Sequence, residues 1–232
     1  MEPSPSKDYR PQQAHTLDVI LAGLFVAALI TCNLIANKFV TVDLGFKTFR
    51  VSAGVVPYPL TFLVTDILSE IYGRKLTNRV VLAGFFASLL TLLILYLGQT
   101  FPAINGSPVS NAQFAAVFQN SWRVIAASMT AYLVAQFIDV RIFHFIKKRT
   151  QGRFLWLRNN FSTTFSQLLD TILVTTVLFL GVESFGFISG LILDGWLFKV
   201  FFAAADTLLI YPSVALIRRH LGLQGTQEAS LL

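Results

Sequence analysis

The sequence has little charge: 13% of its 232 residues are Asp, Glu, Lys or Arg, against about 25% in typical soluble domains. Hydrophobic residues make up 54% of the chain. A chain with so little polar surface is not an ordinary soluble domain, and its composition predicts a multi-spanning membrane protein.

Cysteine and catalytic motifs are also scarce. Cys32 is the only cysteine, which excludes an intramolecular disulfide and a cysteine-based metal site. The three histidines have no metal-ligand spacing, and neither Gly-x-Ser-x-Gly nor His-Glu-x-x-His occurs. We therefore expect no metal, no cofactor and no catalytic residue, and an intramembrane enzyme is the least favoured alternative.

Apolar runs divide the chain into six predicted spans of about 20 residues, the length needed to cross the hydrocarbon core of a bilayer. They cover residues 17–37, 54–72, 80–98, 124–146, 161–181 and 191–217. The predicted fold class is an all-α membrane protein with six transmembrane helices. Residues 1–16 and 218–232 are predicted to be cytoplasmic tails on either side of one transmembrane domain, 17–217.

The distribution of basic residues predicts the orientation. Lys and Arg lie between spans two and three, between spans four and five, and after span six, whereas residues 99–122 and 182–190 contain none. By the positive-inside rule, both termini face the cytoplasm, with the basic loop 38–53 as the one exception. The net charge of +6 then reflects topology and anionic lipid, not a nucleic-acid partner.

The first outer loop has a pattern of its own. Strand-favouring residues surround Gly45 in VDLGFKTFRVSAG, which predicts a short hairpin or lid on the outer face. An ordinary connector is the alternative.

Polar side chains inside the spans are the candidate binding residues. An ionised carboxylate near the bilayer centre costs about 2.5–3.5 kcal/mol or more, so such residues are expected to face the bundle interior. Two of them, Asp66 and Glu70, lie one turn apart in the apolar segment 58–73. The candidates, led by Asp170 and Asp66, are Asp170, Asp66, Gln167, Gln136, Asp139, Asn33, Glu70, Thr61, Thr65, Asn37, Thr163, Asp206 and Phe62.

Two Gln-x-x-Asp elements, 136–139 and 167–170, fall near the middle of antiparallel spans. Secondary transporters bind substrate at this depth. Amides and carboxylates, with no cluster of buried Lys or Arg, argue against a multiply charged anion. They favour a neutral or cationic, donor-rich planar molecule, and Phe62, Tyr58, Tyr132 or Phe165 could stack on its face.

Several charged candidates have simpler structural explanations. Glu70 could pair with Arg74 on the next helical turn, and Asp139 could be stabilised by Arg141 or Lys147. Near the start of span six, Asp194 and Lys199 flank Trp196. For these two, anchoring at the outer membrane interface is the favoured interpretation.

Long motifs carry a family resemblance. The runs YPLTFLVTDILSEIYGRK at 58–75, NRVV at 78–81 and LRNNFSTTFSQLLDTILVTTVLFLG at 157–181 closely resemble the queuosine precursor transporter family of bacterial inner-membrane proteins. The resemblance extends over about residues 18–219 and includes segments 33–38 and 136–139. It implies import of the 7-cyano and 7-aminomethyl forms of 7-deazaguanine across the inner membrane.

The mechanism expected from this resemblance is alternating access around a site formed by spans one, two, four and five. The expected partners are the 7-deazaguanine substrate and the lipid bilayer, with a homodimer left open. A substrate-binding component of an energy-coupling vitamin importer, which requires an ATPase module, is the alternative. The sequence does not separate a carboxylate that binds substrate from one that carries a coupling proton.

Overall fold

The computed structural model describes residues 10–36, 38–118, 122–179, 181, 184–225 and 227–229. These residues form seven α-helices and one two-stranded sheet. In chain order the elements are α1 (Pro11–Leu34), β1 (Phe39–Asp43), β2 (Thr48–Ser52), α2 (Pro59–Ile71), α3 (Arg74–Thr100), α4 (Asn111–Phe118), α5 (Trp122–Arg149), α6 (Leu155–Phe179) and α7 (Phe185–Leu221).

Helix α2 is short and tightly bounded. It begins at Pro59, where a missing N–H costs no helical hydrogen bond. It ends before Gly73, whose φ of 79° is readily adopted only by glycine. Its 13 residues extend about 20 Å, less than the roughly 30 Å hydrocarbon thickness. A 3-10 turn, Ala53–Val55, precedes it and lengthens the apolar segment towards the loop.

The described residues contain five helical segments that are long and apolar enough to cross a membrane: Pro11–Leu34, Ala53–Ile71, Arg74–Thr100, Met129–Arg149 and Phe185–Leu221. These correspond to five of the six predicted spans. The remaining prediction, 161–181, lies largely on α6, which is long enough at 25 residues but rich in polar side chains. Helix α6 packs between α5 and α7, so these polar groups can be satisfied within the protein.

Two helix ends differ from the predicted spans. Helix α1 begins at Pro11 rather than residue 17, because proline at its first turn is compatible with helix initiation. Helix α7 runs from Phe185 to Leu221 rather than over 191–217. Its early start places residues that seemed to flank the membrane well inside the helix.

The predicted hairpin is confirmed. Strands β1 and β2 are antiparallel, with Phe39 opposite Ser52 and Asp43 opposite Thr48. The ring of Phe49 is buried against Phe198 of α7, with their centroids 5.4 Å apart. The hairpin is therefore packed onto the first half of α7.

One end of the bundle collects most of the basic residues, and we call it the basic end. The start of α1 meets the end of α2 here, where Tyr72 Oη donates to the carbonyl of Ala14 at 2.8 Å. The amide of Arg10 donates to the carbonyl of Leu221 at the end of α7. The opposite end carries the hairpin, and we call it the hairpin end.

We expect Gly54→Ala to destabilise the protein, because a Cβ at Gly54 would lie 2.1 Å from the carbonyl oxygen of Cys32. Overpacking of this kind costs about 1–3 kcal/mol, which corresponds to a melting temperature lower by roughly 2–10 °C. Thermal unfolding in detergent measures this change. Gly23→Ala is the matched control, since a Cβ at Gly23 meets nothing within 4 Å. Equal melting temperatures for the two variants would contradict the close packing at Gly54.

Candidate binding site

Polar side chains from α2, α5, α6 and α7 form a buried column along the bundle. On α2 the inward residues Tyr58, Phe62, Asp66 and Glu70 recur every four positions, which places them on one helix face. We call the assembly the polar column. It includes the ring of Phe62 and the half-buried Tyr58, Asp206 and Arg218. Its other members are Asp66, Glu70, Tyr132, Gln136, Asp139, Lys147, Arg158, Thr163, Ser166, Gln167, Asp170 and Lys199.

Nearest the hairpin end, the column contains an ion pair. Lys199 Nζ lies 2.8 Å from Asp170 Oδ2 and 3.2 Å from Thr171 Oγ1. The same ammonium lies 5.3 Å from the centroid of the Tyr58 ring, within cation–π range. Asp170, a leading candidate for the substrate-binding carboxylate, is thus already paired with a cation of the chain.

The prediction that Lys199 anchors the membrane interface is wrong. Helix α7 begins at Phe185, so Lys199 lies 14 residues, or about 21 Å, along the helix. Its side chain is 9% exposed and reaches into the bundle.

The neighbours of Lys199 on α7 also contact protein groups. Asp194 pairs with Lys47 of the hairpin, and Trp196 Nε1 donates to the carbonyl of Thr164 on α6 at 3.0 Å. Both contacts hold α7 to neighbouring elements.

In the middle of the column, Asp66 of α2 faces Asp139 of α5. Asp66 Oδ2 accepts from Thr163 Oγ1 at 3.4 Å, and Asp139 Oδ1 accepts from Ser166 Oγ at 3.0 Å. The alternative that Arg141 or Lys147 stabilises Asp139 is wrong, since Lys147 binds Glu70 and Arg141 is exposed. Asp139 is surrounded by hydroxyls of α6.

At the basic end, Glu70 binds three cations from three helices. Its carboxylate lies 2.5 Å from Arg158 Nη2, 3.6 Å from Lys147 Nζ and 3.4 Å from Arg218 Nη2. Glu228 adds a second carboxylate, 3.1 Å from Lys147. We call these five side chains the basic-end cluster.

Two expectations about charge are therefore corrected. Glu70 does not pair with Arg74, because α2 ends at Ile71 and the turn at Gly73 separates the two residues. The helices also bury cations, with Arg158 only 1% exposed. These cations are already paired with Asp170, Glu70 and Glu228, and this pairing still disfavours a multiply charged anion as ligand.

A narrow cleft, with room for about one water molecule, lies between α2, α6 and α7, alongside the column. Four candidates line it, namely Phe62, Thr163, Gln167 and Asp206, together with Tyr58, Pro59, Lys199 and Ala203. Ligand pockets usually measure about 300–1,000 Å³, which is far larger. The lining helices must therefore move apart to admit any ligand bigger than water.

Polar atoms near the cleft are buried without partners. Within the part of the chain that the structure describes, Gln167 Oε1, both amide atoms of Gln136 and Tyr132 Oη have no hydrogen bond. Gln136 is 0% exposed and Gln167 is 2% exposed. An unmade hydrogen bond costs a buried polar group about 1–3 kcal/mol, so these atoms are suited to a ligand or to water.

Other candidates are placed elsewhere. Thr61 and Thr65 donate to carbonyls of their own helix, at 2.7 and 3.0 Å. The Asn33 amide faces Met129 Sδ at 3.9 Å, away from the cleft lining. Asn37 lies outside the described residues. Phe165 is 45% exposed, so it is not placed to stack in the cleft as Tyr58 and Phe62 are.

Lys199, Arg158 and Lys147 are the residues that sequence reasoning missed. A signal existed for Lys199, which interrupts the apolar run from 196 to 205 with a single charge. Such a charge indicates an intramembrane function as strongly as an acid does. Arg158 and Lys147 carried no comparable signal, because they lie in stretches rich in basic residues.

Comparison with known proteins gives one family. Residues 52–212 match the profile of the family described as "Putative vitamin uptake transporter". The chain is 36% identical to a "Probable queuosine precursor transporter" of Bacillus subtilis over 164 residues, which are 69% of each chain. No solved structure matches the chain significantly.

Two further relatives carry similar names. The chain is 28% identical over 156 residues to the "Queuosine precursor transporter" of Escherichia coli, covering 65% of this chain and 63% of that protein. A "Probable queuosine precursor transporter" of Haemophilus influenzae is 24% identical over 132 residues, which cover 57% of this chain and 53% of that protein. The matches span less than two thirds of these two proteins.

We expect Glu70→Gln to destabilise the fold strongly, because it leaves Arg158 and its companions without their central anion. Removing one partner of a buried ion pair costs about 3–5 kcal/mol, or roughly 10 °C in melting temperature for a chain of this length. Thermal unfolding in detergent measures it. Glu228→Gln is the matched control, since Glu228 is about half-exposed and touches only Lys147 in the cluster. A Glu70→Gln protein as stable as this control would contradict the assignment.

A double-mutant cycle tests the pair of Lys199 with Asp170. Lys199→Met alone should lower the melting temperature clearly, because it leaves a buried carboxylate unpaired. Adding Asp170→Asn should restore most of the loss, because the uncompensated charge disappears. Lys47→Met is the control at the partly exposed pair with Asp194, where we expect at most about 1 kcal/mol. Additive effects of the two changes at positions 199 and 170 would disprove the coupling.

Proposed function

This chain belongs to the queuosine precursor transporter family, and on that premise we propose that it imports 7-deazaguanine precursors of queuosine. The substrates are the 7-cyano form, the 7-aminomethyl form or both. With five helices suited to crossing a bilayer and transporter relatives in bacteria, it is a multi-pass protein of the bacterial inner membrane.

The cleft between α2, α6 and α7 is the observation that supports this proposal most. A 7-deazaguanine is flat, and its N1–H and 2-amino group form one edge of hydrogen-bond donors. The lining offers aromatic faces from Tyr58 and Phe62, whose ring centroids lie 5.8 Å apart. Asp206 offers a carboxylate that has no salt bridge among the described residues.

We assign the donor edge of the substrate to Asp206. A carboxylate accepts two parallel hydrogen bonds from an amidine-like edge. The partnerless Gln167 Oε1 is a further acceptor on the same wall. Asp170, by contrast, is held by Lys199 at 2.8 Å, so its charge is already compensated.

Alternating access provides the transport mechanism. The small cleft is the closed form, and substrate enters when α7 and its hairpin move relative to α2 and α6. The basic-end cluster joins α2, α5, α6 and α7 beyond the cleft and closes that side. The positive-inside rule puts the basic end in the cytoplasm, with α6 as the sixth span and both termini inside.

Asp206→Asn should lower the uptake of either precursor by about tenfold to a hundredfold, because a hydrogen bond to a charged group is worth about 1.5–3 kcal/mol. The assay uses cells that can neither make nor import the precursor. Labelled precursor is supplied, and both uptake and queuosine in tRNA are measured. Asp194→Asn is the control, because it makes the same change on the same helix outside the cleft.

Three outcomes would contradict the proposal. Uptake equal in the Asp206→Asn and Asp194→Asn proteins would remove the cleft as the binding site. Absence of uptake by the purified wild-type chain in liposomes, with binding retained, would instead favour the binding component of an energy-coupling importer. Turnover of a lipid or peptide by the purified chain would indicate an enzyme.

A further inference from the structure

The buried acids of the polar column divide into two kinds. Asp170 lies 2.8 Å from Lys199, and Glu70 lies 2.5 Å from Arg158. Asp66 and Asp139 are equally buried, at 2% and 0% exposed. Yet across the described ranges neither of these two has a Lys, Arg or His within salt-bridge distance.

The carboxyl groups of Asp66 and Asp139 adjoin each other. Thr163 and Ser166, one turn apart on α6, donate to Asp66 and Asp139 respectively, which holds the two acids on one patch of that helix. The two carboxyls lie within interaction distance of each other. One oxygen of each, Asp66 Oδ1 and Asp139 Oδ2, has no partner among the residues described.

Two ionised carboxylates in this position would be costly. Each loses its hydration, and the two like charges repel each other without a cation between them. One proton shared between them removes one charge and turns the contact into a charge-assisted hydrogen bond. That single proton would satisfy both partnerless oxygens.

A second observation is a set of buried, unsatisfied polar atoms beside the pair. Gln136 lies one turn before Asp139 on the same face of α5 and is 0% exposed. Neither its amide nitrogen nor its amide oxygen has a hydrogen bond in the described part of the chain. Buried polar groups are normally satisfied, so these atoms are suited to a water molecule or a ligand that reaches the pair.

We propose that Asp66 and Asp139 form a proton-binding site that couples proton entry to substrate import. The proposal rests on the transport function assigned above and separates two roles. Asp206 binds the substrate, and the Asp66–Asp139 pair binds the proton.

The proton site and the cleft are contiguous. Thr163 lines the cleft and also donates to Asp66, and Asp206 lines the same cleft. Water that enters the open cleft therefore reaches the pair from the same side as the substrate. Proton and substrate are loaded from one side and released on the other, so they move in the same direction.

The other ionisable groups around the pair are mostly occupied. Glu70 lies one turn further along α2 and is held by the basic-end cluster, while Asp170 on α6 is held by Lys199. Asp206 is the remaining acid that faces the pair. The buried or half-buried ionisable groups on the packed helices include Asp18 and Cys32 on α1, Tyr58 and Glu70 on α2, Tyr132, His144 and Lys147 on α5, Arg158 and Asp170 on α6, and Asp194, Lys199, Asp206 and Arg218 on α7. The ionisable groups of α3, namely Arg74, Lys75, Arg79 and Tyr96, are exposed.

The test uses purified protein in liposomes and labelled 7-cyano-7-deazaguanine, which is neutral, so a pH gradient acts only on the protein. With one proton per substrate, an inward gradient of one pH unit should drive accumulation up to about tenfold, since one pH unit is worth about 1.4 kcal/mol. Asp139→Asn should lose this accumulation while still exchanging labelled for unlabelled substrate. Asp194→Asn should retain both activities.

The outcomes separate the two proposals. If wild type exchanges the substrate but does not respond to the gradient, or if Asp139→Asn responds as wild type does, the proton site is wrong and the transport function stands. If wild type does not exchange the substrate, the transport proposal fails and this inference fails with it.

A second measurement does not depend on uptake by a variant. Infrared difference spectra of the wild type, recorded between acidic and alkaline buffer, should show the carbonyl stretch of a protonated carboxyl. Asp66→Asn should lose that band. This variant provides an independent test if Asp139→Asn does not fold. A band unchanged in Asp66→Asn and Asp139→Asn would overturn the assignment.

Discussion

The contact of Glu70 with Arg158 links the helices on which the rest of the structure depends. A lone charge in hydrocarbon is costly, and this carboxylate is 4% exposed, so α2 is stable in its place only while cations from its neighbours reach it. Those cations come from α5, α6 and α7. One side chain thus fixes four helices at the basic end. The cleft lies further along three of these helices, where the described residues form a single ion pair within the polar column, Lys199 with Asp170, that joins only α6 and α7.

The sequence predicted the helical, membrane-spanning architecture and the inward-facing polar face well. Prolines at the start of α2, glycine after its end and the four-residue spacing of Asp66 and Glu70 are local signals, and local geometry follows from them. The burial of Gln136 and Asp139 followed from the energetic cost of exposing them to lipid. The hairpin was predictable because strand-favouring residues and Gly45 are adjacent in the chain.

Pairing between distant charges was not predictable in the same way. Glu70 and Arg158 are separated by 88 positions, and nothing in the spacing of one helix specifies a partner on another. The local alternative, Arg74, failed because the chain turns at Gly73. The predicted position of Lys199 was wrong because the helix begins at Phe185, six residues before the predicted start. The late start placed Lys199 at the membrane surface, whereas it lies in the interior of the bundle.

The partner of each inward-facing acid indicates whether that acid stabilises the fold or is available to bind a ligand. An acid held by a fixed cation, such as Asp170 or Glu70, contributes to the fold, and exchanging its partner for a proton or a substrate would cost that stabilisation. Asp66, Asp139 and Asp206 have no fixed cation among the described residues, and under the proposals above a proton and a substrate that arrive and leave supply their compensation. A carrier needs such sites, because a group that is permanently satisfied cannot gain by binding its cargo.

The three acids lie around Thr163, between the ion pair of Lys199 and the basic-end cluster. Fixed charge pairs therefore hold both ends of the column, and the exchangeable charges lie between them, where opening of the cleft would expose them to water.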